Sequence, residues 1–316
     1  MRSGGAASTV WAALRATPTC QNERVRRFLI VGIAAIGGCR PNGGEAGTTA
    51  RGQVDAGANA SAKADANADA NADANARMGG EVRVVTDWCI EGMIPLDEDV
   101  CYVLPPLAEG KPRRLLVYLH GIVPPVAVSV QKATVEGAVL RAATRAGAAA
   151  IVPRGRRGIG PEGARDWWAW PTEPGAHGRL VKELVARWDR AKKKLEAIAG
   201  APFARTYLAG SSNGAYFLSA LAMRGDCDDL GFPVDGYGAM SGGGPGGRGP
   251  EALAGRATRP FYIGFGAYDA DSKRGGRSLA SVATGAHWPV KLSEHPFGHG
   301  AREVYLDEAF LFWDAN

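Results

Sequence analysis

The chain has 316 residues, 46% of them apolar, and a formal charge of +5, enough for one or two domains with a full core. The charge comes from the first 38 residues, where Arg2, Arg15, Arg24, Arg26 and Arg27 stand against Glu23 alone; the remainder holds 32 basic and 31 acidic residues. A nucleic-acid binder presents a clustered basic face, and the only run here, Lys192, Lys193 and Lys194, falls in a helical pattern and reads as a solvated helix face, so no nucleic-acid partner is expected.

Residues 24–39 read RVRRFLIVGIAAIGGC. Three arginines precede an apolar stretch at 28–38, far short of the roughly 20 residues a membrane-spanning helix needs but suited to an export signal. The ending Ile36-Gly37-Gly38-Cys39 resembles a bacterial lipoprotein box, in which small residues precede a cysteine that is lipidated and becomes the first residue. The resemblance implies residues 1–39 as signal, a lipid anchor at Cys39 and a place in the bacterial cell envelope, periplasmic or at the cell surface. An ordinary cleaved signal or a short buried helix is the alternative. The leader at 1–23 is long for a signal peptide, and Val25 becomes the start if its codon is GTG. Residues 40–80 follow as a tether. Their four-residue repeat ADANADANADANA has no aromatic or β-branched side chain, so it cannot bury enough apolar surface to offset its ordering entropy, and alternating Asp and Asn weaken its helix propensity.

The folded domain is expected over 81–316. Residues 81–85 and 100–104 read as an opening antiparallel pair of strands. Cys89 and Cys101 flank a turn-like segment between them and form a plausible disulfide outside the cytoplasm, with two buried thiols as the alternative. Cys20 falls in the leader, and Cys227 has no evident partner. Residues 114–119 (RLLVYL) form a buried strand, 135–146 a helix and 148–152 the next strand. A long loop then carries Trp167, Trp168 and Trp170. These tryptophans form either an apolar wall for substrate or loop-to-core packing. An amphipathic helix spans 177–199, with His177 as a surface residue at its start.

Residues 206–209 form a short strand, and 213–224 a helix apolar nearly all round. Between them Gly210-Ser211-Ser212-Asn213-Gly214 fits G-x-S-x-G in the strand-to-helix context that gives the motif meaning. A nucleophile on so sharp a turn needs small residues two positions before and after it, and both are glycine. The helix N-terminus puts partial positive charge beneath a developing anion. Ser212 is therefore the candidate nucleophile, with the backbone N–H of Asn213 as one oxyanion donor; Ser211 would break the glycine spacing.

Residues 236–240, 261–265 and 290–292 form three more strands and 304–313 a closing helix. The segment Gly-Gly-Gly-Pro-Gly-Gly at 242–247 lacks a phosphate-loop ending and reads as a flexible connection too short for a large lid. After the strand at 261–265, Asp269 is the candidate carboxylate, with Asp271 as competitor. After the last strand, His299 in PFGHG is the candidate base, with His295 as competitor and His287 at the opposite strand end. The H-x3-H spacing of His295 and His299 lacks further ligands, so no metal is expected.

The elbow, the order Ser212–Asp269–His299, the His120-Gly121 pair after RLLVYL and the late G-H-G resemble the α/β-hydrolase superfamily over residues 112–316. Within it the chain is similar to exported esterases related to polyhydroxybutyrate depolymerases, feruloyl esterases and dienelactone hydrolases. The resemblance implies an α/β fold with a mostly parallel twisted sheet of about eight strands and helices on both faces. It also implies the Ile122 amide as second oxyanion donor and a cofactor-free esterase, but no particular substrate; the expected partner is a small-molecule or polymer-borne ester, and His120, which precedes the nucleophile in chain order, reads as structural. An acyltransferase or serine peptidase on the same scaffold, or a catalytically silent binding protein displayed on the tether, are the competing readings.

Overall fold

The computed structural model describes residues 88–106, 112–126 and 129–316. The signal with Cys39, the tether at 40–80 and the strand expected at 81–85 lie outside these residues. Among those described, eight strands make one sheet: β1 Ile94–Asp97, β2 Val100–Val103, β3 Arg114–Leu119, β4 Ala149–Pro153, β5 Arg205–Ser211, β6 Gly236–Met240, β7 Phe261–Gly266 and β8 Val290–His295. Their spatial order is β1-β2-β4-β3-β5-β6-β7-β8. β2 is antiparallel to both neighbours, and β4 through β8 run parallel.

The strand opening this sheet corrects the sequence reading, since β1 lies inside the segment read as a turn. Pro95 and the acidic residues after it hid the strand. An edge strand tolerates proline because one side of it pairs with nothing, and β1 is half-exposed throughout, with a register shift between Pro95 and Asp97. Cys89 and Cys101 are joined by a disulfide with Cα atoms 5.5 Å apart, which ties the entry to β1 onto β2.

Among the described residues six α-helices accompany the sheet: α1 Val130–Ala146, α2 Pro174–Ala199, α3 Asn213–Arg224, α4 Asp226–Asp229, α5 Ala270–Gly285 and α6 Glu303–Asp314. Strand side chains alternate faces. In β3, Leu115, Val117 and Leu119 pack with α2, α3 and α5 side chains such as Trp188, Phe217 and Leu279. Leu116 and Tyr118 pack with Val139 of α1 and with Phe310 and Trp313 of α6. Every β3 residue is therefore buried, which is why the strand reads as an unbroken apolar run rather than an alternating one. This order, direction and layering is the α/β-hydrolase fold.

Three helical details depart from expectation. Helix α1 begins five residues earlier than 135, where the Ser129 hydroxyl accepts from the Lys132 N–H at 3.2 Å. His177 is buried, not superficial, and its Nε2 lies 2.7 Å from Asp226 Oδ2. Helix α5 was not anticipated, because Gly275 and Gly276 interrupt its pattern. Both glycines are packing contacts: a Cβ at Gly275 would strike the Gly243 carbonyl, and one at Gly276 would lie 2.8 Å from the Phe265 ring. The lysine run behaves as expected, with Lys193 paired to Asp189 at 2.6 Å and Lys192 to Glu196 at 3.6 Å along α2.

The parallel strands end level with one another. Leu119 is in register with Gly210, Ser211 with Met240, and Gly266 with His295. The residues following β3, β5, β6, β7 and β8 are thus delivered to one sheet edge, where open α/β sheets hold their ligands.

Candidate active site

Ser212 joins β5 to α3 with φ 51° and ψ −120°, a region that non-glycine residues seldom occupy. Neighbouring backbone imposes the angle. The Ser212 N–H donates to the Met240 carbonyl at 3.0 Å, and its own carbonyl accepts from Tyr216 N–H one turn into α3 at 3.1 Å. The flanking glycines lie against the end of β3: a Cβ on Gly210 would stand 2.8 Å from the Leu119 carbonyl oxygen, and one on Gly214 would run into the Leu119 and His120 carbonyls. Gly242 belongs to the same contact, since its Cβ would fall 2.7 Å from the Ser212 carbonyl oxygen. The glycine segment after β6 is thus a packed surface at its start, not merely a flexible connection.

Ser212 Oγ lies 3.0 Å from His299 Nε2, and His299 Nδ1 lies 2.7 Å from Asp269 Oδ2. The other Asp269 oxygen, Oδ1, accepts from Ser272 N–H at 3.3 Å, so the same carboxylate caps α5. Asp269 is buried while the His299 side chain is 55% exposed, an arrangement of inner carboxylate, ring and outer serine. The competing residues are engaged elsewhere. Asp271 is exposed and paired with Arg274. His295 stacks on Phe297 and lies 3.2 Å from Glu308. His287 is exposed at the far end of β8.

Sequence reasoning missed Ser241, at the end of β6. It is fully buried with φ 45°, and its hydroxyl donates to the Gly300 carbonyl at 2.7 Å. The bond pins the loop that carries His299. A lone serine at a strand end gives no signal in sequence; only the fold brings it under that loop.

The loop after β3 is held from beneath. His120 is 1% exposed, its Nε2 accepts from Gly155 N–H at 2.9 Å, and its Nδ1 bonds the Gly121 carbonyl. Burial presses its pKa down to about 4, and repulsion from Lys132 and Arg154 adds to this against the Gly121 bond. A neutral ring accepting at Nε2 and donating from Nδ1 satisfies both contacts, so His120 fixes the loop as a structural residue. Gly121 packs on the nucleophile, since a Cβ there would lie 3.3 Å from Ser212 Cβ. Ile122 follows it, half-buried.

Of the two readings of the tryptophan loop, Trp170 takes core packing. It is fully buried and stacks on Phe217 at 5.9 Å. Its indole N–H donates to the His120 carbonyl at 2.9 Å, while its backbone N–H donates to Asn213 Oδ1 at 2.6 Å. Trp170 thereby links the β3 loop to the elbow. Trp168 pairs through its backbone with Val123 and lies under the Arg154 guanidinium at 4.3 Å. Trp167 is half-buried. None of the three lines the cavity beside Ser212.

That cavity measures about 270 Å³. Its walls are the β3 loop with His120, Gly121 and Val123, the first two turns of α1 with Gln131, Lys132, Val135 and Glu136, the elbow with Ser211 and Ser212, and the stretch His299–Ala301. Gln131 and Lys132 were missed because that helix begins earlier than its apolar pattern suggests, and nothing in the pattern marks Val135 and Glu136, inside the expected helix, as cavity wall. Lys132 and Glu136 are both buried, with Nζ 3.2 Å from Oε2. Burial raises the Glu136 pKa to about 7 against the pull of Lys132. Among the described residues, no group of three or more His, Cys, Asp or Glu side chains is placed to hold a metal.

No protein-family model and no curated protein matches the chain. Among solved structures it is similar to esterase PE8 (19% identity, TM-score 0.47, 68% of this chain and 96% of that one). It is also similar to YahD solved with malic acid (13%, 0.49, 69% and 98%) and to the Bacillus cereus carboxylesterase (20%, 0.46, 71% and 95%). Identities this low leave the activity to be argued from the site.

Proposed function

We propose that the protein is a serine hydrolase that cleaves ester bonds through an acyl-enzyme, with Ser212 as nucleophile, His299 as general base and Asp269 as the residue that orients it. The observation that carries this reading is the unbroken relay from Asp269 Oδ2 to His299 at 2.7 Å and from His299 to Ser212 Oγ at 3.0 Å, ending on a serine held at φ 51°. A serine hydroxyl is a weak nucleophile until a base takes its proton. With Nδ1–H donated to Asp269, His299 Nε2 is free to accept from Ser212. The alkoxide attacks the ester carbonyl, and charge collects on the carbonyl oxygen. The Asn213 N–H, at the positive end of α3, and the Ile122 N–H, on the loop fixed by His120, stabilise that charge. His299 then protonates the departing alcohol. Water, deprotonated by the same imidazole, releases the acid and restores Ser212.

The test is hydrolysis of short p-nitrophenyl esters by the full chain and by Ser212→Ala. The expected loss is at least about 1,000-fold in kcat; equal rates in the two proteins would sink the assignment. We further infer export and lipid anchoring at Cys39, on the sequence alone. Mass spectrometry of the mature N-terminus from bacterial envelopes should find a lipid-modified Cys39, and an unmodified N-terminus at another residue contradicts it.

A further inference from the structure

His120 fixes the loop after β3 from beneath, and its own ring is clasped between two indoles, Trp170 at 5.1 Å and Trp88, edge-on, at 5.4 Å. Trp170 is tied in place by hydrogen bonds to the His120 carbonyl and to Asn213. Trp88 is 3% exposed, and among the described residues its indole N–H meets no acceptor, so packing alone orients the ring. The same ring meets Trp168 edge-on at 6.1 Å. Trp168 exchanges two backbone hydrogen bonds with Val123, at 2.9 and 3.0 Å. His120 and Val123 bracket Gly121 and Ile122, so Trp88 backs both ends of the loop that offers the Ile122 N–H. Trp88 belongs to no strand or helix. Its neighbour Cys89 is bonded to Cys101, which is fully buried in β2, between β1 and β4.

We infer that Trp88 is a positioning residue for the oxyanion loop, and that the Cys89–Cys101 disulfide, by anchoring Trp88, puts hydrolysis under thiol control. The inference rests on the esterase reading and adds its regulation. An oxyanion donor works by already pointing at the place where charge develops, and a misplacement of about 1 Å can cost on the order of 100-fold. Opening the disulfide leaves Trp88 joined to the sheet, among the described residues, only through the chain leading into β1, an edge strand half-exposed throughout. His120 and Trp168 then lose the surface they rest on, and the Ile122 N–H loses its aim. The loss falls on kcat, since the carbonyl oxygen draws on that donor most strongly in the transition state. Cys89 is half-buried and Cys101 buried, so a dithiol reaches the Cys89 sulfur. Its thiolate bonds to that sulfur and expels Cys101 as a thiolate, which takes up a proton. The second thiol of the reductant then displaces Cys89, leaving two cysteine thiols and the reductant as a cyclic disulfide. Disulfides persist in oxidising compartments, so the hydrolase is fully active there and weak where thiols stay reduced.

The test compares p-nitrophenyl acetate hydrolysis by the oxidised full chain, by the same chain reduced with dithiothreitol and freed of it by anaerobic gel filtration, and by Cys89→Ala/Cys101→Ala, with far-UV circular dichroism of each. Reduction should lower kcat at least about tenfold while KM stays within about twofold, at unchanged dichroism, and reoxidation should restore it. The double variant should be as slow as the reduced chain and indifferent to reductant. Trp88→Ala should match the reduced chain too, and Trp88→Phe, which keeps a ring against His120, should recover most of the rate. Reducing Trp88→Ala should lower kcat no further, the non-additivity expected when the disulfide acts through Trp88; a second, equal fall overturns the inference. An unchanged kcat in the reduced chain, or a fall that accompanies loss of the dichroism, overturns it as well. If the oxidised chain hydrolyses no ester, the esterase reading falls. In that case, or if Trp88→Ala does not fold, amide hydrogen exchange of the peptide spanning 120–123 decides: exchange that quickens on reduction supports the loop's dependence on the disulfide, and unchanged exchange overturns it.

Discussion

At the scale of single residues, the site depends on two serines at positive φ, Ser212 and Ser241, that do different work. Ser212 presents its hydroxyl to His299, whereas Ser241 holds the backbone on which His299 rides. In the proposed mechanism Asp269 keeps Nδ1 protonated, so Asp269→Asn should lower kcat about 1,000- to 10,000-fold. Asp271→Asn, two residues away and exposed, should change it less than about twofold; a steady-state comparison of the two variants checks the assignment. Ser241→Ala removes one buried hydrogen bond, for which about 1 kcal/mol is typical, and should lower kcat by up to about tenfold if the His299 loop loosens. The elbow and the order of the three residues were legible because the glycines and the flanking elements leave a short pattern in sequence. Trp170 was not, since nothing in W-W-A-W says which ring faces inward. Lys132 was not either: an i,i+4 Lys–Glu pair reads the same on a solvated helix face as on the wall of a cavity.

Elements were legible where their patterns were continuous, as in β3 and β5 through β7, and obscured where packing needed glycine or proline. Helix α5 lost its signal because close approach to Gly243 and Phe265 demands Gly275 and Gly276. β1 lost it because an edge strand tolerates Pro95. Glycine positions also differ in what they tolerate. Gly147 caps α1 at φ 63° with nothing within 4 Å of a Cβ, so Gly147→Ala should cost only about 1 kcal/mol. Gly214→Ala drives a methyl into the end of β3 and should cost several times that, or prevent folding. Denaturant midpoints of the two variants measure the difference. The disulfide closes a short loop at the sheet edge, with a sequence separation of 12, and replacing both cysteines by alanine should cost about 3 kcal/mol, read as a lowered unfolding midpoint.

For the whole molecule, alternating runs of strand and helix were enough to read a parallel sheet covered on both faces, but strand order and the convergence of loops at one edge emerge only from the pairing. Two buried groups at that edge set opposing pH dependences. The folded-state pKa of His120 is depressed from 6.5 to about 4, so its contribution is full above pH 6.5 and is lost as pH falls toward 4. That of Glu136 is raised from 4.5 to about 7, so its contribution is full below pH 4.5 and is lost as pH rises toward 7. Across the overlap the two slopes offset one another. Glu136→Gln removes one of them, and its stability relative to the unmodified protein should rise between pH 4.5 and 7 by on the order of 3 kcal/mol. Urea denaturation of both proteins at the two pH values checks this, and a constant difference contradicts it.

Activation of Ser212 by His299 and Asp269 is tested by labelling with a fluorophosphonate followed by peptide mapping. A single phosphonylated peptide containing Ser212 is expected, with labelling that Asp269→Asn and His299→Ala slow by orders of magnitude and ester hydrolysis that disappears in step with the label. Ester hydrolysis that persists in fully labelled protein, or a label carried by another residue at the same rate in all variants, would contradict it.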